Sequence, residues 1–329
     1  MTKRVRFRQW GKPVEVAEVI DVDLPRPGPD EVLVQVEAAP INPSDIVKFG
    51  GGYGYPPKRA TLPIDCGAEG VGRVIETGGA NSRFRAGQLV ALSWVAGAWS
   101  ERLVVKETSL VPVPDDVDPP QAAMVVNNAA SAWLMLEDCV RLEPGDWVIH
   151  NAANSALGHY LVALASRRGV RTIGVVERGD VAEGLKRAGA DVVLEAGADL
   201  PRRVAEATGG ALLRVAFDAI AGAATMALAE CLPAGAGIVN FGLLSGEPCQ
   251  LPSAALIFHQ IKLSGFTILG SLARRSADQN TAMYRQLLDL MASGVLRAPI
   301  DRTYRLDQLH VALAHAQSRR RAGKVLLVP

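Results

Sequence analysis

At 329 residues and a formal net charge of +1, the chain has room for two domains, or for one domain split around another. Its near-neutral balance excludes nucleic acid and anionic membranes as expected partners. No run reaches the ~18 uninterrupted apolar residues of a spanning helix, and the most apolar segment is interrupted by Asn127 and Asn128.

In chain order, the opening "MTKRVRFRQWGKP" carries charges but no apolar secretory core. Residues 1 to about 120 then hold short β-type runs, "VEVAEVIDVDL", "EVLVQVEAAPI", "GVGRVIETG", "QLVALSWV" and "ERLVVK", separated by Pro and Gly turns. They predict a compact, partly barrel-like β-rich domain, with Gly67, Gly70 and Gly72 supplying turn geometry. From about residue 122 a helical run to Val140 leads into "EPGDWVIHNA". Strands at "RTIGVV", "ADVVLE", "LRVAFDAI", "AGIVNFG" and "IKLSGFTI" then alternate with helices. Alternating βα units predict an α/β domain with a buried, doubly wound parallel sheet of roughly six strands, the pattern of dinucleotide-binding folds. The last 60 or so residues read as two amphipathic helices and a strand, "GKVLLVP", that return to the first domain. The expected division is 1–121 for the first part of the β-rich domain, 122–267 for the dinucleotide domain and 268–329 for the return. "SRRRAG" reads as a solvated helix end.

Four scattered cysteines, Cys66, Cys139, Cys231 and Cys249, without CxxC spacing predict reduced, mostly buried thiols and a cytoplasmic protein. None of the five histidines sits in a Ser/His/Asp arrangement, and His150, ending a strand, is expected to bond backbone.

The sharpest local signal is "VIHNAANSALGHYLVALA", residues 148–165. A strand runs into a loop of small residues and then a helix, whose N-terminal N–H groups and dipole suit a pyrophosphate. The loop has one glycine, Gly158, where the dinucleotide fingerprint has three. Asn154, Ser155, Ala156 and Leu157 occupy the rest of the candidate phosphate site, and an ordinary βα turn capped by Asn154 or Ser155 is the competing reading.

"NAANSALG" followed by "VRTIGVV" resembles the mitochondrial-type trans-2-enoyl-thioester reductases, a zinc-free branch of the medium-chain dehydrogenase/reductase superfamily. "INPSDI" at 41–46, "GAEGVGRVIETG" at 67–78, "GAWSE" at 97–101, "VVNNAASAWLML" at 125–136, "VNFG" at 239–242 and "LIFHQIKLSGF" at 256–266 keep that family's order. The resemblance implies a Rossmann cofactor domain plus a GroES-like catalytic domain. It also implies reduction of the C=C bond of a 2-enoyl thioester or other α,β-unsaturated carbonyl. A quinone oxidoreductase on the same fold, and a dinucleotide-binding protein without turnover, are the alternatives. Superfamily members commonly pair their cofactor domains edge to edge, so a homodimer is expected.

Zinc relatives hold their metal with Cys and His. Here Asn42 and Ala68 stand at the matching positions and "VVNNAASAW" offers neither residue, so no metal is expected. The family's proton-donating or enolate-orienting tyrosine maps to Tyr53 in "GGGYGYPP", with Tyr55 as a pocket-wall candidate. The resemblance further places Asn42, Trp99, Asn128, Phe241, Ile257 and Phe258 around the nicotinamide or substrate, and Ser131, Gly242 and Lys324 toward the cofactor. For Asn42 a helix cap, for Trp99 a core position, for Asn128 and Ser131 a packed polar pair and for Lys324 a solvated side chain remain as alternatives. After "TIGVV" come Glu177 and then Arg178. An acidic residue there favours NADH and a basic one NADPH. The family's use of NADPH tilts the expectation to NADPH, with NADH as the alternative.

Overall fold

The computed structural model describes residues 1–52, 54, 61–318 and 320–329. It divides into two compact units. Unit 1 comprises residues 1–127, 281–294 and 299–329, and unit 2 comprises 128–280 and 295–298.

Unit 1 is built from β1 (Thr2–Phe7), β2 (Glu18–Val22), β3 (Glu31–Pro40), β4 (Ile64–Asp65), β5 (Glu69–Thr77), β6 (Leu89–Ser93), β7 (Arg102–Lys106) and β8 (Leu110–Pro112). "EVLVQVEAAP" alternates along most of β3, and Val32, Val34 and Val36 fall on the buried face. They join a core with Phe7, Phe49, Leu92, Trp99 and Leu103. The expected strand "VEVAEVIDVDL" is only partly one. Pro13–Val16 forms a helical turn, consistent with a proline at its first position, before β2 begins. Gly70 and Gly72 are not turn residues as expected. They lie inside β5, where an added Cβ would strike the β3 carbonyls of Ala38 and Gln35. Gly67, at φ 89°, does sit outside the strand, against Trp99.

Unit 2 holds β9 (Trp147–His150), β10 (Arg171–Val176), β11 (Val192–Glu195), β12 (Leu213–Asp218), β13 (Gly237–Asn240) and β14 (Lys262–Gly265). Among the described residues they form one six-stranded sheet in the order β11-β10-β9-β12-β13-β14, every pairing parallel. β9, buried along its whole length, is an apolar run, because helices cover both faces of such a sheet. The order reverses between β9 and β12, which opens a crevice at the carboxyl ends of the strands. The doubly wound expectation holds. β14 at the margin is exposed throughout.

The later segments of unit 1 add β15 (Ile300–Tyr304) and β16 (Lys324–Leu327). β16 lies between β15 and β3 in a sheet that continues to β5, β6 and β8, with β7 also on β3. The charged sequence "IDRTY" gave no strand expectation, and pairing with buried β16 recruits it. The Arg-rich segment is not uniformly solvated, since Arg321 is half-buried. Only Cys66 of the four free cysteines is fully buried, fewer than expected.

Candidate functional site

In unit 2, β9 ends at His150 and the helix Ala156–Arg167 begins after the loop 151–155. Ser155, not Asn154, is its cap: the extended Ser155 backbone lets Oγ accept from Gly158 N at 3.1 Å. The N–H groups of Ala156 and Leu157 have no acceptor within the helix and remain for an anion. Gly158 is required at its position, because a Cβ there would run into the Ala153 carbonyl. The residues present therefore fit a dinucleotide pyrophosphate by a capped helix start, small side chains and one obligatory glycine.

Behind this loop lies a hub that the sequence reading missed. Asp218, fully buried at the end of β12, accepts through Oδ1 from Asn151 Nδ2 at 2.7 Å, Ile220 N at 2.9 Å and Ala221 N at 3.0 Å. Through Oδ2 it accepts from Thr225 Oγ1 at 2.6 Å and Asn240 Nδ2 at 3.3 Å. Burial alone would raise the Asp218 carboxyl, but the Thr225, Asn151 and backbone bonds outweigh it and hold the group below its ordinary value. The hub ties the ends of β9, β12 and β13 together, and its neighbours Ala152 and Ala221 sit at φ 47° and 64°, left-handed conformations uncommon for alanine. Polar residues at the ends of three adjacent strands were the available signal. Phe241 N donates to the Asp218 carbonyl, and Gly242 leaves no room for a Cβ against the Ala219 carbonyl.

At the end of β10, Glu177 is exposed and Arg178 pairs loosely with Asp180 at 3.4 Å. Gly179 abuts the Glu195 carboxylate of the neighbouring strand. His150 does not bond backbone through Nε2, which is buried without a partner. Burial and then His159 push the imidazole down to about 3, so it is neutral.

In unit 1 the central feature is a buried polar chain. Asn42 precedes the helix Pro43–Phe49 and its backbone N–H donates to Asp45 Oδ2 at 3.0 Å, so the helix-start reading is correct for the backbone. Its side chain also reaches beyond the helix. Nδ2 donates to Glu69 Oε1 at 2.7 Å, and Oδ1 accepts from Lys324 Nζ. Glu69 Oε2 also accepts from Asn127 N at 2.9 Å. Lys324 is 6% exposed, which removes the solvated alternative. Burial raises Glu69, opposed by Lys324 and the Asn42 bond, and burial lowers Lys324, opposed by Glu69. Both move toward their neutral forms. Glu69 was not singled out in the sequence, although a lone carboxylate opening an apolar strand was visible there.

Trp99 is a core residue, 0% exposed, with Nε1 donating to the Pro40 carbonyl at 3.2 Å. Asn128 and Ser131 are buried in unit 2. Ile257 and Phe258 are exposed at 64% and 78%. Tyr53 and Tyr55 lie outside the described residues. A zinc ion does not fit the residues present. Asn42 faces a lysine ammonium, Asp65 is held by Arg4 at 2.9 Å and Arg6 at 2.6 Å, and burial followed by Asp45 pushes the Cys66 thiol up, away from the thiolate a metal needs.

Residues 28–115 match the family described as alcohol dehydrogenase GroES-like domain, and residues 156–293 that described as zinc-binding dehydrogenase. The mitochondrial enoyl-[acyl-carrier-protein] reductase of Xenopus tropicalis is 33% identical, over 98% of this chain and 94% of its own. The solved quinone oxidoreductase of Pseudomonas syringae pv. tomato superposes with a TM-score of 0.88 at 29% identity, covering 100% of both chains. The quinone oxidoreductase of Escherichia coli, solved with NADPH, gives 0.89 at 25% identity, covering 99% of this chain and 100% of its own. With a GroES-like unit, a Rossmann-like unit and a full-length relative of this kind, the chain belongs to the medium-chain dehydrogenase/reductase superfamily, as an oxidoreductase of the enoyl-reductase and quinone-reductase type.

Proposed function

We propose that the chain is an NADPH-dependent, zinc-independent reductase of the C=C bond of a 2-enoyl thioester or small enone. Unit 2 is then the dinucleotide domain and unit 1 the substrate domain. The observation that carries this reading is the centre of unit 1. There the Asn42 amide is held between a carboxylate and an ammonium, at a place in the sequence that the family resemblance matches to a zinc ligand of metal-dependent relatives. Such a centre orients groups and balances charge, which suits an activated alkene better than the oxidation of an unactivated alcohol.

Bound NADPH would supply the hydride for the β-carbon. In our reading Ser155, Ala156, Leu157 and Gly158 hold its pyrophosphate, and Arg178 meets the 2′-phosphate against the opposing charge of Glu177. The NADPH bound by the Escherichia coli relative supports that choice over NADH. Asn42, fixed at both ends of its amide, orients its surroundings in unit 1. Tyr53 gives a proton toward the α-carbon, a role that rests on its place in the sequence.

The test is NADPH consumption with crotonyl-CoA set beside 1,4-benzoquinone. Turnover of the thioester alone supports the reading. Turnover of the quinone alone replaces it with quinone reduction, the second reading, which the Pseudomonas and Escherichia coli likenesses favour. Tyr53→Phe should lower enoyl reduction without weakening NADPH binding, and full activity in that variant moves the proton donor elsewhere.

We further read the protein as a homodimer. Six large apolar side chains from segments flanking or within β14 are exposed, namely Leu243, Leu244, Leu256, Ile257, Phe258 and Leu263, and β14 has an open edge. No described helix is long and apolar enough to cross a membrane. The four free cysteines support a reducing compartment, the cytoplasm in our reading, although the Xenopus relative is named mitochondrial.

A further inference from the structure

The run "SRRRAGK" at 318–324 carries four cations and no acid, and Arg321 within it is not a solvated helix end. It is half-buried, yet among the described residues its guanidinium makes no hydrogen bond and no ion pair. None of its nitrogens is sealed from solvent, so a ligand can reach them. A charged group drawn partly out of water is ordinarily paired.

The backbone that bears it is fixed. β15 and β16 shift register between Ile300 and Arg302, which leaves Asp301 as a bulge. Asp301 Oδ2 accepts from Ala322 N at 2.9 Å and pairs with His315 Nε2 at 3.0 Å, while His315 Nδ1 meets the Tyr304 hydroxyl at 3.0 Å. Gly323 is pressed onto the Pro299 carbonyl, where a Cβ would come within 2.5 Å, and Lys324 N donates to the same carbonyl at 2.9 Å. The three residues after Arg321 are thus pinned to 299–301.

Asp301 is the nearest evident partner for Arg321 and does not take it. Burial lowers the guanidinium, and the charge of Asp301 opposes that without closing to an ion pair. Arg321 in turn adds to the lowering of Lys324, whose ammonium is already bonded to Asn42. Two cations therefore act on each other, and the outer one is unpaired. One anion within reach of Arg321 would relieve both effects, and the planar guanidinium fork suits a phosphate.

We propose that Arg321 is an anion subsite for a phosphate oxygen of a bound ligand, with Lys324 adding to its positive field. The choice of ligand rests on the reductase reading above, which offers two sources of phosphate: the dinucleotide and the CoA carrier of a 2-enoyl thioester. A simple enone or quinone offers none.

The experiment measures binding, so it needs no turnover. Calorimetric dissociation constants for NADPH and for free CoA are compared in the wild type and in Arg321→Gln. At least one of the two ligands should bind the variant roughly tenfold to a hundredfold more weakly. Weakened CoA assigns the phosphate to the carrier, weakened NADPH to the cofactor, and either supports the subsite. Unchanged constants for both ligands overturn it, whatever happens to the Tm. If Arg321→Gln does not fold, Arg321→Lys, which keeps the charge and loses the fork, identifies the Arg321 Nε–H resonance in the ¹H–¹⁵N spectrum by its disappearance. That resonance should move when the wild type is titrated with inorganic pyrophosphate, and an unmoved one overturns the proposal. If the wild type reduces neither thioester nor quinone while these binding effects appear, the reductase reading fails and the subsite stands.

Discussion

Asn42 Nδ2 donates to Glu69 Oε1 at 2.7 Å while the other end of the same amide accepts from Lys324, so one neutral side chain spans two opposite charges inside unit 1. Because both amide ends are engaged, the orientation of Asn42 is fixed. Asp45, Lys48 and Arg321 are the other charged groups acting on this chain.

The first prediction follows from the Glu69 carboxyl, raised from 4.5 to about 7 chiefly by burial. A group with a raised folded pKa contributes stability that is complete below its unfolded value and is lost as the pH climbs through the folded one. Glu69→Gln cannot titrate. The stability of the wild type relative to Glu69→Gln should therefore fall between pH 4.5 and about 7, by something on the order of 3 kcal/mol. Urea midpoints at the two ends of that window measure it. Lys324, lowered from 10.5 to about 8, acts in a separate alkaline window: its contribution is complete above the first value and is lost as the pH falls through the second.

Asp218→Ala removes the acceptor of Asn151 Nδ2, Thr225 Oγ1 and the N–H groups of Ile220 and Ala221. The expected loss is at least about 3 kcal/mol, with a tenfold or greater weakening of NADPH binding as the strand ends relax. Because the Asp218 carboxyl is held below its ordinary 3.8, its contribution is complete above that value and is lost as the pH falls through the lowered one. Denaturation curves and a fluorescence titration with NADPH test both statements.

Gly158→Ala places a methyl group against the Ala153 carbonyl. The loop must shift, so stability should drop by roughly 1–3 kcal/mol and NADPH affinity should fall further than stability alone explains. Calorimetric titration at a temperature where the variant stays folded separates the two.

Glu177→Ala removes the exposed carboxylate beside Arg178 and leaves Arg178, Asp180 and Glu195 in place. If NADPH binds here, its affinity relative to NADH should rise about fivefold to tenfold, equivalent to ~1 kcal/mol. Parallel dissociation constants for the two dinucleotides decide the matter, and an unchanged ratio places the 2′ contact elsewhere.

Phe258, 78% exposed, is the largest apolar side chain left open in unit 2. Phe258→Glu should convert the proposed dimer to a monomer without lowering the unfolding temperature of the monomer. Light scattering coupled to gel filtration reads the mass directly, and an unaltered dimer would locate the contact on another face.

Much of unit 2 was legible because its information is local. Short apolar strands, helices and one indispensable glycine, Gly158, are adjacent in sequence and imply each other. The unit 1 centre was harder to see. Asn42 drew notice through a missing zinc ligand, but its partners lie 27 and 282 positions away, and no local pattern links them. Glu69 reads as one polar residue among glycines until the pairing of β3 with β5 shows that side buried. Asp218 looked like an ordinary strand end, since what distinguishes it is the convergence of donors from four segments.

The placement of β16 between β15 and β3 has a consequence for how the chain is made. A ribosome emits β3 early and then some 280 further residues before Lys324, the partner of Asn42, appears. Until then the nascent protein carries an open strand margin and a carboxylate, Glu69, whose counter-charge has not been synthesised. Unit 2, encoded entirely between those points, can close while unit 1 is still incomplete. Translation therefore imposes an order of assembly in which the polar heart of unit 1 is completed last.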